Sequence, residues 1–438
     1  GDAGVSPESR ARRLLDERAR RLGPSLRLSY REPLEIIRGE GAYLVARDGR
    51  RFLDLVNNVC HVGHCHPRVV EALAAQAARL NTNTRYLHET VVEYARRLTD
   101  LLPDPLEVCY FVCSGSEAND LALRLARAAT GRRGVVALEG AYHGNLGSLV
   151  EISHYKFAGP GGFECPPHVE VAPAPDVYRG RYRDGAEPAR RYAGDVTVAT
   201  ARLADRGPPA AAFICESLLG CCGQVEPPPG YLPAAYAAAR AAGAVVIADE
   251  VQVGFGRVGD AFWGFELQDA VPDVVTLGKP IGNGHPLAAV VTTRALAEAF
   301  DNGMESFNTY GGNPVSCAVG LAVLDVLEEE GLQAHAARVG DRLLAGLRQL
   351  AERHPLIGDV RGRGLFLGVE LVEDRTTRRP AAAAADDLVE ALKSRGFLLS
   401  TDGPAHNVVK IKPPLVIGPE DVERLLVALD EELERTEG

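Results

Sequence analysis

Three short apolar runs of the sequence lead directly into residues that can do acid–base or covalent chemistry: Glu216, Asp249 and Lys279. Such runs predict buried β-strands. In an open α/β sheet, ligands bind beyond the carboxyl ends of the strands. The sequence therefore predicts carboxylates and an amine at one edge of a sheet.

Lysine is rare in this chain, which makes each lysine informative. Only five of the 48 Lys and Arg residues are lysine: Lys156, Lys279, Lys393, Lys410 and Lys412. Where only charge matters, the chain uses arginine. A lysine set among glycines and apolar residues is therefore expected to supply an amine that can lose its proton.

An amine and a carboxylate at one sheet edge are what pyridoxal phosphate (PLP) requires. The amine forms an imine with the cofactor aldehyde, and the carboxylate keeps the pyridine nitrogen protonated so that the ring accepts electrons. We assign Lys279 to the first role and Asp249 to the second, with Glu216 as a further cofactor-binding candidate. The alternative is a surface lysine and a loop-capping aspartate.

The segment Cys-Ser-Gly-Ser-Glu at residues 113–117 suits the cofactor's phosphate, because it joins a predicted strand to a predicted helix. Backbone N–H groups at a helix N-terminus bind phosphate; Gly115 permits close approach and Ser116 adds a hydroxyl. Ser114 and Glu117 also fit a capping box, which is a purely structural explanation. Both interpretations stay open.

Two other features also have alternative interpretations. Tyr142 follows a predicted strand, where its ring either stacks on a flat cofactor or lies in the core. The three histidines and Cys65 within residues 61–66 have the spacing of metal ligands. No second cluster follows them, so we expect a loop with hydrogen-bonded histidines and no metal site.

Composition and charge argue against several classes of protein. The 438 residues suffice for two domains, and a net charge of −11 argues against a nucleic-acid or anionic-membrane partner. No apolar run approaches the roughly 20 residues of a membrane span, and the N-terminal segment reads as a charged helix. Nine scattered cysteines fit free thiols in a reducing cytoplasm, so we expect a cytoplasmic protein.

The middle of the chain alternates short apolar runs with helical patterns, which predicts an α/β fold with a mostly parallel sheet. Predicted strands there are 108–112, 135–138, 210–215, 244–248 and 274–277, and predicted helices are 117–129, 233–242 and 315–329. The later chain predicts helices 337–352 and 381–394, strands 365–372 and 408–411, and a terminal helix from Pro419. The first residues predict a helix at 8–21 and a hairpin at 42–55. We expect a large domain at 61–320 and a smaller α+β domain formed by 1–60 with 321–438.

Taken together, these residues resemble class III (omega-type) aminotransferases, PLP enzymes of fold type I, over essentially the whole chain. The resemblance is carried by Gly49, residues 52–54, 63–67, 114–119, 142–144, 249–252 and 254–257, Lys279, and residues 309–314 and 413–414. It implies an aspartate aminotransferase-like fold, with a mostly parallel seven-stranded sheet in the large domain and a smaller α+β domain.

The resemblance also implies a role for each matched residue. Lys279 matches the Schiff-base lysine and Asp249 the partner of the pyridinium nitrogen. The other matches are Gly115 and Ser116 at the phosphate, Tyr142 and Val251 on opposite faces of the ring, Gln252 beside the ring hydroxyl, and Thr309, which reaches the phosphate from the other subunit. The last match implies a homodimer with shared active sites.

Two positions depart from the usual pattern of the family. Members that transaminate with glutamate carry an Arg just before the late Pro-Pro pair, and a Glu five positions after the residue matching Glu216. Here those positions are Lys410 and Cys221. Lysine cannot reproduce the two parallel donors with which arginine holds a carboxylate.

The variant segments are similar to phospholyases that act on O-phosphoethanolamine or 5-phosphohydroxylysine. They comprise residues 57–59, 61–67, 80–83, 85–88, 178–180, 307–324, 398–404 and 407–414. The similarity implies a lyase that eliminates phosphate from a phosphorylated primary amine. The alternatives are an omega-aminotransferase acting on a keto acid or aldehyde, and a non-enzymatic nucleotide- or metal-binding module.

The phosphate of such a substrate needs cationic partners. Lys410 is the first candidate, and Arg85, His88 and Lys412 are weaker ones. Lys410 and Lys412 would face the same side of a strand. The alternative for Arg85 and Lys412 is a surface ion pair.

Overall fold

The structure is a computed structural model that describes residues 7–183 and 185–438. In chain order its α-helices are α1 (Pro7–Arg21), α2 (Pro67–Ala77), α3 (Glu89–Asp100), α4 (Gly115–Thr130), α5 (Gly147–Val150), α6 (His154–Phe157), α7 (Pro188–Arg206), α8 (Tyr231–Ala241), α9 (Arg294–Phe300), α10 (Pro314–Glu329), α11 (Leu332–Arg353), α12 (Ala382–Ser394) and α13 (Pro419–Glu437). The strands are β1 (Ile36–Glu40), β2 (Tyr43–Ala46), β3 (Arg51–Asp54), β4 (Leu106–Val112), β5 (Gly134–Leu138), β6 (Val169–Ala172), β7 (Ala210–Glu216), β8 (Val245–Asp249), β9 (Val274–Leu277), β10 (Ala288–Thr293), β11 (Ile357–Arg363), β12 (Phe366–Asp374), β13 (Arg379–Pro380), β14 (Phe397–Leu398), β15 (Ser400–Asp402) and β16 (Val408–Ile411).

Seven strands form the central sheet in the order β4-β10-β9-β8-β7-β5-β6. Strands β9, β8, β7, β5 and β6 pair in parallel, and β10 runs antiparallel to both of its neighbours. The expected mostly parallel seven-stranded sheet is therefore confirmed. Within this sheet the strand predictions missed β6 and β10, because β6 is only four residues long and includes Glu170, and β10 ends in two threonines.

Helices cover both faces of this sheet, and the alternation of side chains along β8 shows how. Val246 and Ala248 belong to one apolar cluster, and Val245 and Ile247 belong to the other. Successive strand side chains point to opposite faces, so a strand buried on both faces is apolar throughout. That is why β7 and β8 read as continuous apolar runs in the sequence.

The chain after α10 contributes an antiparallel sheet in the order β11-β12-β16-β15, with β13 paired to β12. The N-terminal strands β1, β2 and β3 form a separate sheet, in which β14 pairs in parallel with β3. The N-terminal hairpin thus joins the C-terminal part of the chain, as a small domain made from both ends requires. The boundaries 61–320 and 1–60 with 321–438 stay a prediction.

The register of the central sheet brings the residues predicted to carry the chemistry to one edge. Glu216 lies opposite Asp249, and Asp249 lies opposite Thr276, at the carboxyl ends of β7, β8 and β9. Lys279 follows β9 and begins a short 3₁₀ helix. None of the described helices combines the length and apolarity of a membrane span.

Candidate active site

A cavity of about 140 Å³ opens at this carboxyl edge of the sheet. It is lined by Gly115, Ser116, Asn119, Tyr142, His143, Gly144, Glu216, Asp249, Val251, Gln252 and Lys279. Every residue predicted to bind the cofactor from within one chain is therefore in this cavity. Thr309 is not; it lies in an exposed segment.

Three contacts fix the Asp249 carboxylate, which is only 4% exposed. Its Oδ2 accepts a hydrogen bond from Asn119 Nδ2 at 2.9 Å and lies 2.8 Å from His143 Nδ1. Its Oδ1 accepts from the Val251 N–H at 3.1 Å. Polar partners compensate the cost of burying a carboxylate and set its direction. Asp249 is thus held firmly at the floor of the cavity.

The sequence interpretation missed Asn119 and gave His143 no role. Asn119 Nδ2 also donates to the His143 carbonyl at 2.8 Å, and the His143 N–H donates to Ser153 Oγ at 2.9 Å. Both side chains are buried. One signal could have found Asn119: it lies on the apolar face of α4, and a buried amide there needs a polar partner.

Lys279 enters the cavity from a strained turn. Its backbone φ is 36°, in the left-handed region that non-glycine residues avoid and that clusters at functional sites. A Cβ on the preceding Gly278 would lie 3.2 Å from both Gly115 Cα and Val251 Cγ1, so close packing favours glycine there. Burial lowers the pKa of Lys279, and the charge of Lys410 lowers it further. A surface lysine is thus the wrong interpretation.

Among the described residues, no carboxylate lies within ion-pair distance of the Lys279 amine. An amine that is partly buried and has no ion-pair partner is easier to deprotonate than a surface lysine. The lowered pKa agrees with the expectation that lysine was needed here for its chemistry and not for charge alone.

The start of α4 divides its residues between capping and the cavity. Ser114 Oγ accepts from the Glu117 N–H at 3.1 Å, and Glu117 Oε2 accepts from the Cys113 N–H at 3.1 Å. Ser114 therefore caps α4, but the capping box is only half formed, because Glu117 accepts from the Cys113 N–H and not from the Ser114 N–H. These contacts occupy Ser114 and Glu117, and they leave Gly115 and Ser116 facing the cavity.

These residues fit PLP. A Cβ on Gly115 would approach the Val251 methyl carbons to 3.1 Å, so close packing at this wall of the cavity favours glycine. His143 Nε2, buried in the lining, has no hydrogen-bond partner among the described residues. An amine, a carboxylate and an open helix N-terminus around one cavity match the imine, the pyridine nitrogen and the phosphate of the cofactor.

Glu216 is fully buried beside Asp249. Burial raises the pKa of Glu216 to about 7, and the negative charge of Asp249 also raises it. Glu216 Oε2 accepts from the Gly220 N–H at 2.8 Å, and its Oε1 accepts from the Tyr142 N–H at 3.4 Å. Glu216 therefore positions the backbone of Tyr142 at the wall of the cavity.

Two of the four predicted phosphate partners, Lys410 and Lys412, meet at one carboxylate next to this cavity. Lys410 Nζ lies 3.1 Å from Asp402 Oδ1, and Lys412 Nζ lies 3.8 Å from Asp402 Oδ2. Lys412 Nζ also donates to Gln252 Oε1 at 2.5 Å, and Gln252 lines the cavity. The two lysines thus face the same side, as predicted. We call Lys410, Lys412 and Asp402 the lysine cluster.

Burial distinguishes Lys412 from a surface cation. It is only 2% exposed, and burial lowers the pKa of Lys412 to about 7. A surface ion pair is therefore the wrong interpretation for Lys412. Near the cluster, burial raises the pKa of the Cys221 thiol to about 12, with a further contribution from Asp402. The thiol beside the two lysines is thus neutral at pH 7.

Two other phosphate candidates lie outside the cavity. Arg85 is exposed; its Nη2 lies 3.1 Å from Glu305 Oε1, and its guanidinium lies 3.9 Å from the Phe307 ring centre. The surface ion pair is therefore confirmed for Arg85. His88 is partly buried at the N-terminus of α3. Within one chain, the structure does not bring these residues to the cavity.

The histidines of residues 61–66 contact separate partners. His61 Nε2 lies 2.6 Å from the Phe255 carbonyl oxygen, His64 Nε2 lies 2.8 Å from Asp54 Oδ2, and His66 pairs with a carboxylate at the end of α10. Burial lowers the pKa of His61 to about 3. Across the described ranges, no group of three candidate ligands surrounds a metal position. The cluster fastens a loop to the fold.

Comparison with known proteins gives one consistent family. The model of the family "Aminotransferase class-III" matches residues 28–433. A Drosophila melanogaster protein named alanine–glyoxylate aminotransferase 2-like is 51% identical over 94% of this chain and 85% of its own length. A Caenorhabditis elegans protein named ethanolamine-phosphate phospho-lyase homolog 1 is 41% identical over 96% of this chain and 93% of its own length.

A solved structure gives the same fold. A phospholyase from Arthrobacter, in complex with phosphoethanolamine, superimposes with a TM-score of 0.91 at 41% identity. The match covers 96% of this chain and 99% of that one. The fold type I architecture predicted from the sequence is thereby confirmed.

Proposed function

We propose that this chain, which belongs to the class III aminotransferase family and is therefore PLP-dependent, is a carbon–oxygen lyase that eliminates phosphate from a phosphorylated primary amine. The observation that carries the proposal is the lysine cluster beside the cavity that contains Lys279. Two ammonium groups there offer donors to a phosphate ester. Similarity to the Arthrobacter phospholyase supports the same reaction.

The residues around the cavity would hold the cofactor in a defined way. Lys279 would bind its aldehyde, Asp249 its ring nitrogen, and the start of α4, at Gly115 and Ser116, its phosphate. Tyr142 and Val251 would flank the ring, and Gln252 and Glu216 would lie beside it. When bound, PLP supplies an electron sink for the carbon that carries the substrate amine.

The chain's own groups would then carry out the elimination. Lys279, set free when the substrate amine takes its place on the aldehyde, would take the proton from the carbon bearing the amine, which its lowered pKa favours. The bond from the adjacent carbon to the phosphate oxygen breaks, and the phosphate leaves with the electron pair while bound to Lys410 and Lys412. The resulting enamine takes up water and gives an aldehyde and ammonia. The neutral Cys221 avoids the repulsion that a carboxylate would exert on the phosphate.

O-phosphoethanolamine is the first candidate substrate, because the Arthrobacter relative was solved with phosphoethanolamine. Its products would be acetaldehyde, ammonia and phosphate. 5-Phosphohydroxylysine is the second candidate. It carries a carboxylate far from the reacting amine, and that carboxylate would need its own partner.

A single assay tests the proposal. The holoenzyme is incubated with O-phosphoethanolamine or 5-phosphohydroxylysine in the absence of any keto acid, and phosphate, aldehyde and ammonia are measured. We expect equal amounts of the three products from one substrate. Lys279→Ala should abolish release, and Lys393→Ala, at a buried lysine whose Nζ donates to the Glu32 carbonyl, should not. Absence of phosphate from both substrates would refute the proposal.

An omega-aminotransferase is the second candidate function. The observation that favours it is the 51% identity to a relative named as an alanine–glyoxylate aminotransferase. The two functions separate in the same assay when L-alanine and glyoxylate are supplied. Pyruvate formation without any phosphate release from the phosphorylated amines would establish the aminotransferase.

We also propose a homodimer whose subunits share their active sites. Exposed apolar side chains surround the segments that carry Arg85 and Thr309: Tyr86, Leu87, Met304, Phe307 and Tyr310. Apolar patches of this kind mark protein interfaces. In a dimer, Thr309 would reach the neighbour's cofactor phosphate, and Arg85 and His88 would approach its substrate. A monomeric mass for the active holoenzyme in light scattering would exclude the shared site.

The cellular location and the domain boundaries remain part of this proposal. All nine cysteines are free, which supports a reducing cytoplasm. The pairing of β14 with β3 supports a small domain built from 1–60 and 321–438 beside the large domain 61–320.

A further inference from the structure

One carboxylate serves two ammonium groups in the lysine cluster. Asp402 is only 4% exposed. Its Oδ1 lies 3.1 Å from Lys410 Nζ, and its Oδ2 lies 3.8 Å from Lys412 Nζ. A third donor is present, because Gln224 Nε2 donates to Asp402 Oδ2 at 2.8 Å.

The charges of the cluster do not balance when both lysines are protonated. Asp402 supplies one negative charge against two buried or partly buried ammonium groups, and the nearby Cys221 is neutral. A buried cation without a partner is costly. A phosphate dianion would match the two ammonium groups, but it would also meet the negative charge of Asp402.

The partners of Asp402 allow it to give up these donors. Its Oδ2 keeps the Gln224 N–H when the ammonium groups turn away. A lysine ammonium has three donors on a flexible stem, so Lys410 can turn from a carboxylate to a phosphate without moving its strand. Lys412 has an alternative partner of its own in Gln252 Oε1.

We infer that Asp402 is a built-in competitor for the phosphate. Its carboxylate holds Lys410 and Lys412 when the site contains no substrate, and it must yield their donors when phosphate binds. Asp402 therefore weakens the binding of the product phosphate and speeds its release. This inference rests on the proposed function, since it assigns the anion that the lysine cluster receives.

Substitution of Asp402 tests the competition directly. In holoenzyme carrying Asp402→Asn, which keeps the shape and removes the charge, phosphate inhibition is measured at about pH 6, below the pKa of Lys412, so that this lysine is charged. The inhibition constant of inorganic phosphate should fall about tenfold, because one nearby like charge is gone. KM for O-phosphoethanolamine should fall with it, and kcat should fall where phosphate release limits turnover. Asp402→Glu restores the charge and should restore the wild-type inhibition constant.

A matched control separates this effect from the loss of any paired carboxylate. Asp430 pairs with His354 and Arg353 at the C-terminal helix and does not line the cavity. Asp430→Asn should leave phosphate inhibition unchanged. If Asp402→Asn does not fold, Asp402→Ser removes the same charge with a smaller side chain and is held to the same expectation.

The outcome that overturns the inference is an inhibition constant that stays the same or rises in Asp402→Asn. It would show that Asp402 only orients the lysines. Failure of the proposed function is distinguishable from this result. A holoenzyme that releases no phosphate from any amine refutes the phospholyase, but calorimetric titration of inorganic phosphate into wild type and Asp402→Asn still decides whether Asp402 competes.

Discussion

The cofactor end and the substrate end of the cavity are built in different ways. At the cofactor end, the Asp249 carboxylate has three partners, Asn119 and His143 at Oδ2 and the Val251 N–H at Oδ1. At the substrate end, Lys410 and Lys412 share one carboxylate, and Lys412 is also bonded to Gln252. Both oxygens of Asp249 thus have partners, whereas Lys412 divides its contacts between Asp402 and Gln252.

This difference follows from what each end must do. A resident cofactor stays in place through many reactions, so its partners gain by being rigid and preorganised. A phosphate group enters and leaves in every turnover. Its partners must bind it and then find another partner, because a buried ammonium left alone is costly. Shared contacts at the substrate end meet that requirement.

The largest effect on activity should come from removing charge at the cofactor end. Asp249→Asn should lower kcat/KM by about 10²–10⁴-fold, because the ring nitrogen loses its charged partner while the shape is kept. Glu250→Gln is the matched control at the next residue. Burial raises the pKa of Glu250 to about 8, so that carboxyl is already neutral at pH 7. We expect the control to change kcat/KM by less than about threefold.

Steady-state kinetics of phosphate release measures both variants, and the visible spectrum of the bound cofactor reports whether it is retained. Equal losses in Asp249→Asn and Glu250→Gln would contradict the comparison. They would mean that any polar change at the end of β8 disturbs the sheet edge, and that the contacts of Asp249 do not single it out.

A smaller effect should come from the substrate end. Lys410→Met should lower kcat/KM for the phosphorylated substrate by about 10–100-fold, since a charged donor to the phosphate is lost and Lys412 remains. Cofactor affinity should stay within about twofold, because the cofactor partners lie elsewhere in the cavity. Assays of turnover measure kcat/KM, and titration of the apoenzyme with PLP measures the cofactor affinity. Unchanged turnover would remove Lys410 from the phosphate site.

The cofactor end could be predicted from the sequence because the strands determine where its residues lie. Glu216, Asp249 and Lys279 each follow an apolar run, and parallel strands place the ends of such runs at one edge. Local patterns missed α2, α3, α7 and α9, but they located the N-cap at Ser114 and the helices α4, α8 and α10. Their ends differ from the predicted ones by a few residues at most.

The substrate end was predicted only in part. Asp402 lies on β15, which pairs with β16, the strand that carries Lys410, but β15 was not predicted and the contact of Asp402 with the lysines was missed. Gln224 reaches Asp402 from a distant segment, and no spacing in the sequence indicates that contact. Asn119 was missed for a related reason. Its partner Asp249 lies 130 residues away, and a single polar residue in an apolar helix face does not identify its partner.

The smallest expected effect is a change of anion inhibition with pH, as Lys412 at the substrate end loses its proton. The pKa of Lys412, at about 7, lies below its ordinary value of 10.5, so this lysine is protonated below pH 7 and loses its charge above it. Sulfate stays a dianion throughout this range and serves as the probe. Its inhibition constant should be lowest below pH 7 and rise by at most about tenfold per pH unit above it.

Two substitutions at one position decide whether Lys412 causes that rise. Lys412→Arg keeps its charge at every accessible pH, so sulfate should continue to inhibit above pH 7. Lys412→Met never carries the charge, so inhibition should be weak and flatter across the range. The affinity of the cofactor end for PLP should not change with pH in the same way, since Asp249 keeps its contacts in both variants. If wild type and Lys412→Met share one pH profile, the titrating group is not Lys412, and Lys410 alone receives the anion.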